Sequence, residues 1–181
     1  MINNDELLFV VDENNKPLEP LTRREAHAKG LWHRTSHIWI INSRNQLLCQ
    51  KRSLLKDMHP GEWEAFFGGH QPATEKELES ALNELEEELN IKAKPSDLKF
   101  YQVYKKVGRG HPSHNEFLYI YLYHWDGEVT DLRLEPDEVE KVEWKNLEEV
   151  KAKTDNKSPD WTHHAYEKNM IGWIEKQLNR S

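Results

Sequence analysis

Leucine and alanine recur at three- and four-residue steps between residues 77 and 91, the period of an amphipathic helix. These apolar positions are Leu78, Ala81, Leu82, Leu85 and Leu89. Another face of the same helix is acidic, with Glu84, Glu87 and Glu88 at positions i, i+3 and i+4. The pattern therefore predicts a helix with one buried face and three carboxylates side by side on another.

That acidic face is unfavourable on its own. Like charges at this spacing repel, at a cost of roughly 0.2–0.5 kcal/mol per pair, and they lie in the half of the helix where its dipole disfavours anions. A divalent cation would remove both penalties, and carboxylate oxygens suit Mg²⁺ or Mn²⁺. The alternative is a solvated acidic surface, since 31% of the residues are charged.

Runs of β-branched, aromatic and apolar residues predict the strands of a sheet. The predicted strands span residues 7–11, 33–41, 46–52, 63–67, 98–104, 114–123 and 139–144. Residues 42–45 form a turn, so the second and third of these strands are expected to be a hairpin. The run 114–123 is apolar on both faces, which places it in the centre of the sheet.

Three further helices are predicted. Thr22 and Glu25 form a capping box that opens a short helix in the leading segment, and Asn146 is expected to cap another. A final helix is expected over residues 159–178, where apolar residues again recur with a helical period. The lysine-rich segment 151–157 is expected to be a mobile loop.

Length and composition predict one domain, residues 1–181, with seven tryptophans, six tyrosines and five phenylalanines available for its core. The formal net charge of −7 argues against a protein that wraps nucleic acid. Cys49 is the only cysteine, so no disulfide forms within the chain, and a reducing compartment is the simplest assumption. Because no signal peptide and no membrane-spanning run is evident, we expect a soluble cytoplasmic protein.

The acidic helix and the glycine pair before it resemble the Nudix box, here residues 69–91. The matching positions are Gly69, Glu75, Glu84, Leu85, Glu87, Glu88 and Ile91, all at the spacing of that motif. Two positions depart from it: Asn83 stands where the family has Arg, and Asn90 where it has Gly. Asn suits the left-handed conformation past a helix end, whereas Asn83 deprives Glu75 of the arginine that ties it to the helix in the family.

The resemblance implies a Nudix-like fold of the α/β (α+β) class: an α/β/α sandwich with a mixed sheet, an N-terminal extension over residues 1–30 and a C-terminal helix. It also implies a hydrolase that cleaves a diphosphate bond in a nucleoside diphosphate derivative or similar small molecule, with Mg²⁺ or Mn²⁺ as cofactor. The implied metal ligands are Gly69, through its carbonyl, and Glu84, Glu87 and Glu88. Glu87 or Glu116 is the expected general base.

Lys51, Arg52 and Lys56 are the candidates for binding the outer phosphates of such a substrate. Ordinary surface charge is the alternative for them.

Several segments resemble the branch of the family that contains isopentenyl diphosphate isomerase. They are residues 31–34, 50–53, 60–63, 68–70 and 114–116. In that isomerase three histidines and two glutamates hold a second metal, and the similar positions here are His27, His33, His70, His114 and Glu116. The alternative is that these histidines are hydrogen-bonded structural residues.

The isomerase uses a cysteine just before its Gly-His pair, and Gly68 occupies that position here, which disfavours isomerisation. An isomerase and a non-catalytic ligand-binding domain are the alternatives to the hydrolase, the second because of Asn83. Domains of this branch often dimerise, so a homodimer is a further expectation.

Overall fold

The computed structural model describes residues 4–108 and 114–179. Its helices and strands, in chain order, are β1 (Leu7–Leu8), β2 (Val10–Val11), β3 (Leu21–Thr22), α1 (Arg23–Ala28), β4 (Trp32–Ile41), β5 (Gln46–Arg52), β6 (Trp63–Glu64), α2 (Glu77–Leu89), β7 (Leu98–Lys106), β8 (Glu116–His124), β9 (Val139–Asn146), α3 (Leu147–Asp155) and α4 (Glu167–Leu178). None of the helices in these two ranges has the length and apolar character needed to cross a membrane.

Strand β4 lies in the middle of a seven-stranded mixed sheet with the order β6-β5-β4-β8-β7, in which β2 also pairs with β4 and β9 with β5. β4 and β8 run parallel, from His33 opposite Glu116 to Ile41 opposite His124. On its other side β8 is antiparallel to β7. The predicted central position of the run 114–123 is confirmed.

Helices pack on both faces of the sheet because successive side chains of β4 point to opposite faces. Trp39 and Ile41 share a core cluster with Met170 of α4, whereas Ile38 and Ile40 share the other cluster with the apolar face of α2. A mixed sheet between helices is the α/β architecture that the sequence predicted.

The leading segment is attached to the sheet and to a small core of its own. Val10 and Val11 of β2 pair with His33 and Trp32 of β4, and Leu8, Val10 and Ala26 form a separate buried cluster. Through this attachment α1 lies against the end of the sheet where β4 begins.

Local sequence signals explain two helix ends. The hydroxyl of Thr22 accepts a hydrogen bond from the Glu25 N–H, and the Glu25 carboxylate accepts one from the Thr22 N–H, so the predicted capping box of α1 is confirmed. Helix α2 ends at Leu89, and Asn90 follows in the left-handed conformation with φ 58°. Asn90 therefore does the conformational work of the glycine that the Nudix box has there.

Two predictions about the C-terminal third were wrong. Most of the segment 151–157 belongs to helix α3, which is held by Leu147, Val150 and Thr154 buried at helical spacing. The last helix begins at Glu167 and not at residue 159, because Trp161 lies outside it in an isolated β-bridge.

Three strand predictions need correction as well. Residues 7–11 form two short strands that pair with different partners. The predicted hairpin is paired only between Ile41 and Leu47, since β5 pairs instead with β9 along its length. Of residues 63–67 only the first two are a strand, and Phe67 then makes a single bridge to Ile38.

Candidate active site

The acidic face of α2 lies directly against the glycine pair. The Gly68 N–H donates a hydrogen bond of 3.1 Å to Oε2 of Glu88. A Cβ on Gly69 would lie only 2.5 Å from Oε1 of Glu84, so a side chain there would displace that carboxylate. The Gly69 carbonyl accepts a hydrogen bond of 2.9 Å from the Ser36 N–H, which leaves its second lone pair available. The turn and the helix thus form one structural unit.

The carboxylates of this unit are held in an environment that disfavours their charged form. Burial raises the pKa of Glu84 well above its usual range, and repulsion by Glu88 and Glu87 adds to the shift. Burial also raises the pKa of Glu88 to about 8, and the pKa of the more exposed Glu87 is raised by its burial and by Glu75. Clustered carboxylate oxygens of this kind fit a bound divalent ion, which would favour their ionised form.

All three carboxylates line a cavity of about 560 Å³. Arg52 and Lys56 line it too, and each is paired with a carboxylate: Arg52 with Glu64 at 2.6 Å and Lys56 with Glu138. Lys51 is not among the residues that line this cavity, and its ammonium pairs with Glu140 at 2.8 Å. The structure therefore brings two of the three predicted phosphate-binding residues to the acidic helix and leaves the third elsewhere.

Four histidines and a glutamate converge beside the cavity, and three of them, His70, His114 and Glu116, line it. The ring centroids of His27 and His33 are 4.9 Å apart. Those of His33 and His70 are 5.1 Å apart, and those of His27 and His114 are 4.2 Å apart. Two groups have ligand atoms within 4.8 Å of one another: His27, His33 and His70, and His70, His114 and Glu116. All five residues suggested by the isomerase resemblance are thus brought together, from α1, β4, the loop after Phe67 and the start of β8.

The protonation of this histidine cluster suits metal binding. Burial lowers the pKa of His27 to about 3 and also lowers the pKa of His33, His70 and His114. The Nε2 atoms of His27, His33 and His70 are buried without a hydrogen-bond partner among the described residues. Neutral imidazoles with such nitrogens are available as ligands.

Glu116 is engaged through both of its oxygens. Oε2 accepts a hydrogen bond of 2.5 Å from Lys106, and Oε1 lies 3.9 Å from Nε2 of His33. Glu87, in contrast, is exposed within the cavity and has no such partner in the described structure. The two carboxylates that the sequence offered as general base therefore have different surroundings.

Several residues of the cavity were missed in the sequence. Glu138 was not among the predicted site residues, but it lines the cavity and pairs with Lys56. Arg23, His37 and His164 line it as well. The only signal for Glu138 was its place before a strand, and nothing local distinguishes the other three, because the fold brings them together from α1, β4 and the segment before α4.

The departures from the Nudix box and from the isomerase motif have visible consequences. Gly68 has φ +129°, and a Cβ there would collide with the carbonyl oxygen of Ser36. Oε2 of Glu75 is buried without a hydrogen-bond partner in the described part of the chain, which agrees with the loss of the arginine that Asn83 replaces. The single cysteine, Cys49, is buried in the core away from the cavity, and burial raises the pKa of its thiol.

Comparison with known proteins agrees with this fold. The profile of the NUDIX domain matches residues 21–165. A Clostridium acetobutylicum protein described as an uncharacterized Nudix hydrolase is 33% identical over 157 residues, which are 84% of this chain and 76% of that protein. The chain belongs to the Nudix family.

One further relative and one solved structure are also similar to this chain. Isopentenyl-diphosphate Delta-isomerase 1 of Aromatoleum aromaticum is 31% identical over 176 residues, which cover 97% of this chain and 92% of the isomerase. A crystal structure of a Deinococcus radiodurans protein superposes with a TM-score of 0.67 over 92% of this chain and 97% of that one, at 19% identity. The second similarity concerns the fold alone.

Proposed function

We propose that the protein is a metal-dependent hydrolase that cleaves a diphosphate bond in a nucleoside diphosphate derivative or a similar small molecule. The observation that carries this proposal is that Glu84, Glu87 and Glu88 line the cavity beside the glycine pair. Membership of the Nudix family supports hydrolase activity, and the proposal adds the diphosphate bond and the preferred cofactor, Mg²⁺ or Mn²⁺.

The carboxylates of Glu84, Glu87 and Glu88 and the carbonyl of Gly69 would hold this cation. When bound, it supplies charge neutralisation of the diphosphate and activation of water for attack at phosphorus. Arg52 and Lys56 would bind phosphate oxygens, in exchange for their present partners Glu64 and Glu138. Water adds to one phosphorus, the bridging P–O bond breaks, and the bridging oxygen leaves with the other product.

Glu87 is the better placed of the two candidate bases for taking the proton of the attacking water. It is accessible in the cavity, whereas Glu116 accepts a hydrogen bond from Lys106. Glu116 is held by Lys106 and faces His33, so we assign it to a second metal site with His27, His33, His70 and His114.

Isomerisation of an isoprenoid diphosphate is the second candidate function. It is favoured by the histidine cluster and by the isomerase relative that matches nearly the whole chain. It is opposed by Gly68, where no side chain fits, and by the burial of Cys49 outside the cavity. The hydrolase is therefore preferred.

Glu87→Gln tests the proposal. We expect it to remove most of the phosphate release from diphosphate substrates in Mg²⁺, about 10²-fold or more for a lost general base, and to leave the metal-free Tm unchanged or higher because a repulsive charge is removed. Glu86→Gln is the matched control, since Glu86 is exposed on the same helix and does not line the cavity.

The controls separate the alternatives. A lowered metal-free Tm for Glu87→Gln would show a structural role for this carboxylate. If the wild-type protein binds diphosphates but turns over none of them, the protein is a non-catalytic ligand-binding domain. Conversion of isopentenyl to dimethylallyl diphosphate would establish the isomerase.

A further inference from the structure

His37 lines the cavity but belongs neither to the acidic helix nor to the histidine cluster. It stands on β4, where its ring stacks on Phe66 with centroids 3.8 Å apart and planes at 9°. The ring of His164 meets both of them edge-on, at 5.2 Å from each. Three flat rings thus form one wall of a cavity whose other walls carry mostly charged groups.

A chain of buried hydrogen bonds fixes which nitrogen of His37 carries the proton. The indole N–H of Trp39 can only donate, and it donates to the hydroxyl oxygen of Tyr166 at 3.3 Å. The Tyr166 hydroxyl lies 2.6 Å from Nδ1 of His37. Tyr166 is fully buried, and Nδ1 of His37 is the one acceptor recorded for its proton among the described residues. Tyr166 therefore donates to Nδ1, and the proton of the neutral imidazole is on Nε2.

The ring remains uncharged in this setting. Burial lowers the pKa of His37 well below its usual range, and the nearby His164, Lys106 and Arg52 act in the same direction. His37 makes no hydrogen bond through Nε2 in the described structure. It therefore offers a neutral N–H donor of fixed direction on the wall of the cavity.

A neutral donor between rings does not resemble a phosphate site. The nearby cations Arg52 and Lys106 are each paired, with Glu64 and Glu116, and the carboxylates of α2 mark the place for the diphosphate and its metal. Aromatic walls with one polar group are typical of sites that bind a planar heterocycle and orient it.

We propose that the Nε2–H of His37 donates a hydrogen bond to an uncharged acceptor, a ring nitrogen or carbonyl oxygen, on the group that the substrate carries beyond its diphosphate. The protein would thereby select a heteroaromatic group such as a nucleobase over a hydrocarbon chain, which would leave the donor unsatisfied. This inference rests on the proposed function and names the substrate class for the same site.

A matched pair of ligands tests it: ADP and dimethylallyl diphosphate, which share the diphosphate and differ in the attached group. Binding is measured by calorimetry with Mg²⁺, and phosphate release is measured in parallel. His37→Phe, which keeps a flat ring without the donor, is expected to weaken ADP binding about fivefold to tenfold, the worth of one hydrogen bond, and to change dimethylallyl diphosphate binding less than about twofold. His37→Gln, which keeps an N–H, is expected to recover part of the loss.

Equal losses for both ligands, or no loss for either, overturn the inference, as does a wild-type protein that binds ADP no better than the alkyl diphosphate. If His37→Phe weakens only ADP binding but the wild-type protein hydrolyses neither ligand, the proposed hydrolase function is contradicted and the role of His37 is supported. If the wild-type protein hydrolyses both ligands without preferring ADP, the hydrolase function is supported and the role of His37 is contradicted.

A measurement on the wild-type protein covers the case in which His37→Phe does not fold. Nitrogen chemical shifts of His37 at neutral pH are expected to show a protonated Nε2 and an unprotonated Nδ1. Tyr166→Phe, which removes the hydroxyl that holds this tautomer, is expected to weaken ADP binding selectively and by less than His37→Phe. The other tautomer, or an imidazolium, in the wild-type protein contradicts the inference.

Discussion

Gly68 combines φ +129° with a backbone contact that leaves no room for a Cβ, since the carbonyl of Ser36 occupies that place. The isomerases that this chain resembles carry a cysteine at the same position of the motif. The present backbone therefore excludes not only the thiol but any side chain, and a simple point substitution does not restore the isomerase site.

Gly68→Cys is expected to lower the free energy of unfolding by about 1–3 kcal/mol, the cost of a strained backbone position, and to give no isomerase activity. Urea denaturation measures the first effect. Gly172→Ala is the matched control, because Gly172 lies in α4 with open space around it, and it should raise stability by about 0.5–1 kcal/mol. A Gly68→Cys variant as stable as the wild type would show that the turn accommodates a side chain.

Asn83→Arg is the second residue-scale prediction. Oε2 of Glu75 is buried and unpartnered among the described residues, so a guanidinium at position 83 is expected to raise the free energy of unfolding by about 1–2 kcal/mol. Thermal and urea unfolding of the two proteins check it. Unchanged stability would mean that water or another group already satisfies Glu75.

At the scale of helices and strands, strong local sequence patterns were sufficient to predict an element, and weak patterns were not. The period of leucines in α2, the capping box of Thr22 and the two-sided apolar run of β8 each specified their element from local sequence. The second half of helix α3 was taken for a loop because its lysines and acids outnumber its few buried side chains, and packing against the sheet decides its conformation. The start of α4 depends on the bridge of Trp161, a contact with a distant segment.

The first turn of α4 contains a buried carboxyl group, Glu167, whose contribution to the stability of the protein depends on pH. Glu167 is buried, and burial raises its pKa from 4.5 to about 8. Below about pH 4.5 the carboxyl is protonated in both the folded and the unfolded protein. As the pH rises toward 8, only the unfolded chain gives up the proton, so the contribution of this group to stability is lost over that window.

Glu167→Gln should therefore stabilise the protein increasingly with pH. The gain is expected to be small near pH 4.5 and to reach roughly 3 kcal/mol at pH 7, from 1.36 kcal/mol per pKa unit. Unfolding free energies of both proteins at pH 5 and pH 8 measure it. If the gain in unfolding free energy does not grow between pH 5 and pH 8, the pKa of Glu167 is not raised in the folded protein.

At the scale of the whole molecule, motif spacing predicted the acidic helix and the isomerase resemblance implied the histidine cluster, but neither predicted the composition of the cavity. Arg23, His37, Glu138 and His164 come from separate parts of the chain, and only the folded sheet places them together. No local period marks such residues. The homodimer and the cytoplasmic location stay predictions, and sedimentation would measure the first.

Metal binding should be visible in the stability of the whole protein. Because a bound cation compensates the buried carboxylates only in the folded state, Mg²⁺ at a hundred times its Kd is expected to add about 2.7 kcal/mol to the free energy of unfolding. Glu84→Gln should reduce this gain and Glu86→Gln should not, as measured by Tm with Mg²⁺ and with a chelator. An equal gain in all three proteins would place the cation elsewhere.

The parallel pairing of β4 with β8 fixes more than the position of single side chains. His33 lies opposite Glu116, and His37 follows four residues later on the same strand face. A strand advances about 3.3 Å per residue, so these two positions are about 13 Å apart along a rigid backbone. A ligand that contacts both the histidine cluster and the N–H of His37 therefore has to span about that length.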